Sequence, residues 1–96
     1  MTERMSETLT PAHFPVDATA TWSVQVSDDE SVELAVVETV ASGDPRPFSV
    51  SFAGPLQPEI GQGTYALTHA EFGTFPLFIV PISREADGMR YEAVFG

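Results

Sequence analysis

The chain has 96 residues, 43% of them hydrophobic, which is enough for one core and too little for two domains. It contains no cysteine, and this excludes disulfides, thiolate nucleophiles, iron–sulfur clusters and cysteine-based zinc sites. Fourteen Asp and Glu stand against four Arg and no lysine, and the formal charge of −10 repels nucleic-acid phosphates and anionic lipid.

No apolar stretch reaches the roughly 18 residues of a membrane-spanning helix. The first residues, MTERMSETLTP, have neither the basic flank nor the apolar run of a secretory leader. The expected location is the cytoplasm, or an assembled particle or fibre whose parts carry no signal peptide. The acidic surplus keeps so small a domain soluble and leaves it open to a basic partner or to Ca²⁺.

Residues 1–9 are polar and without period, so a flexible tail is expected there, with 10–96 forming a single β-domain. Thr10 is a good helix cap and Pro11 suits the first helical position, where its missing N–H costs nothing. Pro15 stops that turn almost at once. One short helical turn follows, with Phe14 tucked into the core.

From there the pattern is β. Trp22, Val24 and Val26 alternate with Thr21, Ser23 and Gln25, and the acidic Asp28-Asp29-Glu30 run reads as a hairpin turn. Over 31–41, Val32, Leu34, Val36 and Val40 share the inner face. Glu38 has the same parity, so a bulge or strand end is expected near it. Residues 42–47 form a loop by composition, and Phe48, Val50 and Phe52 then alternate with Ser49, Ser51 and Ala53. The segment 54–63, with two prolines and three glycines, is the longest irregular connection.

Tyr65 and Leu67 mark a further strand, and Glu71-Phe72-Gly73 turns the chain into 74–83. Asp87-Gly88 makes a turn before the last strand, where Met89, Tyr91, Ala93 and Phe95 oppose Arg90, Glu92 and Val94. About six strands with short turns and no long helical period describe an all-β fold: an antiparallel sandwich or small barrel with one short N-terminal helical turn.

Several strings carry a resemblance. They are Leu9-Thr10-Pro11-Ala12-His13-Phe14, the segment 47–55, Gln62-Gly63-Thr64-Tyr65 and the ending Ala86-Asp87-Gly88-Met89-Arg90-Tyr91-Glu92-Ala93-Val94-Phe95. Together the chain resembles a short bacterial domain of unknown function running from a Leu-Thr-Pro-x-His-Phe start to an Asp-Gly-x-x-Tyr-Glu-Ala-x-Phe end. The resemblance implies a self-contained bacterial unit and brings no activity, cofactor or catalytic residue. It also implies, more loosely, an association with phage tail-collar-like fibre proteins.

The chemistry-bearing residues are sparse. His13 and His69 lie in different elements without metal-ligand spacing, and read as a cap and a turn residue. Ser49 and Ser51 occupy the polar face of a strand, away from any strained nucleophile elbow. Glu33 and Glu92 have polar parity, while Glu38 is expected to pair with Arg90 or Arg84. The 27–31 turn lacks the spacing of a Ca²⁺ loop. Gly61-Gln62-Gly63 is a turn, with no helix after it to supply a phosphate-binding dipole.

The segment 74–83 is different, because both of its faces are apolar: Phe75, Leu77 and Ile79 on one, Phe78, Val80 and Ile82 on the other. A strand in so small a domain normally keeps one wet face. The second face is expected to be covered by the N-terminal segment, by the 54–63 loop or by another chain. Pro76 and Pro81 mark an edge or a bulged strand.

The functional expectation is a non-enzymatic protein-interaction or assembly module, possessing neither cofactor nor metal. Its interface is expected at Phe78, Val80 and Ile82, rimmed by Arg84, Arg90 and Tyr91. The partner is a protein or a second copy, with a tail-fibre-like protein as the candidate implied by the resemblance. The alternative is a small barrel that carries an apolar molecule behind Trp22, Phe48, Phe52 and Tyr65.

Overall fold

Period-two alternation becomes six antiparallel strands in a computed structural model that describes residues 9–16, 21–41, 43, 47–57 and 60–95. They are β1 (Trp22–Ser27), β2 (Glu30–Ala41), β3 (Phe48–Gly54), β4 (Gly63–His69), β5 (Gly73–Glu85) and β6 (Gly88–Phe95), preceded by one 3₁₀ turn over Pro11–His13. The strands close into a barrel in the order β1-β2-β3-β6-β5-β4. Of the two architectures open to the sequence, the barrel is the one adopted.

Closure depends on the two longest strands. β2 ladders to β1 through its first residues and to β3 from Ala35 onward. β5 ladders to β4 over 73–79 and to β6 over 80–85. Each therefore turns a corner between two sheets, and each carries a bulge near its corner, between Val36 and Glu38 and between Pro81 and Ser83. An extra residue bends a strand and adds local twist, which is what such a corner requires. The ring is completed by β1 and β4 at Ser23↔Thr68 and Val24↔Leu67.

The bulge expected near Glu38 is present, and it reverses the parity that follows it. Val32, Leu34 and Val36 face the core. Beyond the bulge Glu38 stands opposite Ser51, and Val40 stands opposite Ser49, on the outside. Val40, expected inside, is 49% exposed. Glu38 likewise lies exposed on the outer face, and Arg90 pairs with Asp87 at 3.4 Å instead.

The prolines also find their places. β5 is flanked by β4 and β6, so it is not an edge strand. Pro76 sits in the half laddered to β4, and Pro81 directly precedes the bulge. Neither position demands a full set of donors on both sides. In the β4–β5 hairpin His69 pairs with Gly73, whose φ of +97° is a conformation that glycine adopts without a Cβ penalty.

The core is aromatic. Phe14, delivered by the 3₁₀ turn, stacks on Trp22 at 5.1 Å and lies 5.4 Å from Phe95. Phe48 and Phe95 stack at 4.4 Å with nearly parallel planes. The Phe14 carbonyl accepts a 2.8 Å hydrogen bond from Thr39 Oγ1, the residue that the bulge rotates to the inner row. Leu9 is fully buried, so the expected tail gives up its last residue to the core. Residues 1–8 lie outside the described residues.

The long connection sends Ile60 into the barrel, where its buried N–H donates to Tyr91 Oη at 2.9 Å. Tyr91→Phe leaves that amide without an acceptor. The expected cost is about 1–3 kcal/mol, seen as a lower urea midpoint at unchanged m-value. Tyr65→Phe supplies the contrast, since the Tyr65 hydroxyl donates to the exposed Gly61 carbonyl. Its change is expected to stay within about 0.5 kcal/mol.

Candidate functional site

Antiparallel partners place their side chains on the same face, so the registers map the outside of the barrel. One outer row runs Val40–Ser49–Val94 across β2, β3 and β6. The next runs Glu38–Ser51–Glu92–Val80 across β2, β3, β6 and β5. Val94 is 67% exposed and Val40 is 49% exposed. Val37, the extra residue of one bulge, and Ile82, of the other, are also exposed and stand at the two ends of this face. β-Branched side chains suit a pleated surface, but ones this open forfeit their burial energy unless something covers them.

The six residues proposed from sequence do not form one patch. Phe78 is 51% exposed and stands opposite Thr64 on β4, before the corner of β5. Val80 and Ile82 lie beyond that corner, where β5 ladders to β6, and Val80 is half-buried opposite Glu92. Arg84 is exposed, with Nη1 3.9 Å from Met89 Sδ. Arg90 is half-buried and held by Asp87 and by the Met89 carbonyl. Tyr91 belongs to the core: it is fully buried on the inner face of β6, and its hydroxyl is used by Ile60. It is no rim residue.

The exposed pair Val40 and Val94 lies outside the residues expected from sequence. The outward parity of Val94 was visible, but Val40 joins it only through the bulge. From the 54–63 loop Ile60 enters the core, while Phe78 and Ile82 on the second face of β5 stay exposed.

The two histidines, distant in sequence, meet at one end of the barrel. His69 stacks on Phe72 at 4.6 Å, and His13 meets the same ring edge-on at 5.0 Å. His13 Nδ1 accepts the Thr10 N–H at 3.0 Å, and His69 Nδ1 accepts the Glu71 N–H at 3.0 Å. An accepting Nδ1 puts the proton of a neutral ring on Nε2. Both rings thus tie turn backbone to the aromatic plug. Among the described residues no group of three or more His, Asp or Glu is placed to hold a metal ion.

Elsewhere, Ser49 and Ser51 lie between the outer valines and glutamates, away from either histidine's hydrogen bonds. At the acidic turn Ser27 Oγ donates to Asp29 Oδ1 at 3.2 Å. Trp22, Phe48 and Phe52 face inward as a carrier would need, yet Phe14 packs against all three.

Six antiparallel strands closed round an aromatic core, with Val40 and Val94 left exposed outside, define a small β-barrel domain. The chain belongs to the family described as Domain of unknown function (DUF6916), whose model matches residues 9–95. Comparison with curated proteins and comparison with solved structures each gave no match.

Proposed function

We propose that this protein is a non-enzymatic interaction or assembly module that docks through the outer face formed by β2, β3, β6 and the second half of β5. The observation that carries this reading is the row Val40–Ser49–Val94, in which both valines are about half or more exposed. Apolar residues this exposed on the outside of a small barrel favour a protein interface, and Val80 in the neighbouring row and Ile82 at the β5 bulge add to the face. Ser49 and Ser51 keep the middle of the face flat enough for another surface to approach. Arg90 lies at its margin, opposite Ala53. The resemblance to domains associated with tail-fibre-like proteins makes such a fibre protein a candidate partner.

Native mass spectrometry of the protein purified gently from its own host, without overexpression, tests this reading. A co-purifying protein or a discrete oligomer is expected, and Val94→Glu is expected to abolish it while the circular dichroism of the barrel is unchanged. Association that survives both Val94→Glu and Val40→Glu removes the outer face from consideration.

A further inference from the structure

We infer that the docking face selects a cationic protein partner and rejects a second copy of this chain. The inference rests on the interaction reading above and names the chemistry of its partner. Within the apolar face, Glu38 and Glu92 flank Ser51 on either side, one strand away each. With strands about 4.8 Å apart, their Cα atoms stand roughly 10 Å from one another. Among the described residues the cation nearest to them in the register is Arg90, which stands opposite Ala53 in the next row of β6 and is engaged by Asp87.

Burying this face against an uncharged surface strips water from two carboxylates that gain nothing in return. Burying it against a second copy is worse. A two-fold interface presents the same patch twice, so four carboxylates meet across it. Each copy also brings a formal charge of −10. A partner with apolar side chains and spaced Lys or Arg meets both demands: valines bury valines, and each glutamate gains an opposite charge. The same field speeds the encounter with a basic surface.

The probe is an acetylated, amidated ten-residue peptide of alternating lysine and valine, with a glutamine-for-lysine version as its control. In NMR titrations the lysine peptide is expected to shift the amides of 38–41, 49–51 and 92–94. The Glu38→Gln/Glu92→Gln double variant is expected to bind it about tenfold more weakly, since two exposed charge pairs are lost. High salt should have a similar effect on the wild type. Sedimentation of the wild type alone is expected to show a monomer at low salt.

Three results overturn the inference: a wild-type dimer that protects Val94, a probe affinity indifferent to the double variant, or shifts centred on the 28–30 turn. Failure of the underlying interaction reading looks different. There, association from the host persists in Val94→Glu; here, Val94→Glu abolishes association but neutralising both glutamates leaves it intact.

Discussion

Phe14→Ala is expected to destabilise the barrel by about 3–5 kcal/mol, the range for truncating a fully buried Phe. The side chain is 1% exposed and reaches the core from outside the strands, on a segment with one 3₁₀ turn. Its ring touches Trp22 of β1, Phe48 and Phe52 of β3 and Phe95 of β6, four residues from three strands. Removing it leaves a hole bounded by large, rigid rings that have little freedom to collapse inward. For a domain of this size the loss corresponds to a melting temperature lower by roughly 15–30 °C.

Thermal melts followed by circular dichroism measure the effect. Val16→Ala, two residues on at an exposed position, serves as the control and should stay within about 0.5 kcal/mol. A Phe14→Ala melt within a few degrees of wild type contradicts the described docking of 9–16. Trp22 fluorescence gives a second readout, because its stacked neighbour is gone.

Gly88→Ala is expected to cost about 3 kcal/mol or more, through two independent causes. Gly88 has a φ of +154°, a backbone conformation that side-chain-bearing residues rarely adopt. A Cβ built on it would also stand 2.3 Å from the Gly54 carbonyl oxygen, a backbone atom of β3. A flexible side chain could swing aside; a strand carbonyl inside a ladder cannot move without unpairing Gly54 from Met89. The β5–β6 hairpin and the β3–β6 ladder are therefore strained together. Gly61→Ala is the matched control, since a Cβ there meets nothing within 4 Å. Equal melting temperatures for the two variants would show that the approach of Gly88 to Gly54 is not as tight as described.

These two sites differ in how visible they were. Phe14 was readable because a cap, a proline at the first helical position and a stopping proline isolate one large apolar side chain, which has nowhere to go but inward. Asp87-Gly88 was readable as a turn, though the hairpin puts Ala86 and Asp87 between the pairing residues Glu85 and Gly88. That the glycine is needed because a carbonyl of β3 lies against it was not readable. The contact joins residues 34 positions apart, and no local pattern encodes it.

The candidate face divides in the same way. The apolar second side of 74–83 was plain in the alternation, and Phe78 and Ile82 are indeed open to solvent. Tyr91 shares the parity of Met89, Ala93 and Phe95, which argues against a rim position, but its buried bond to Ile60 depends on where a loop of irregular sequence passes. Val40 has inner parity in the plain alternation; a bulge can be suspected from the misplaced Glu38, but only its position in the register decides which later residues change sides.

What the amino-acid sequence determined alone is local: six strands, their inward-facing residues up to the first irregularity, the hairpin turns and the apolar plug before β1. Such features follow from side-chain period, turn stereochemistry and the drive to bury apolar area, all legible within a few residues. Tertiary structure decided the rest: closure through β1 and β4, β6 inserted beside β3, the corners in β2 and β5, and the row that brings Val40, Ser49 and Val94 together. Those depend on pairings between distant strands, where a one-residue shift in register exchanges inside for outside.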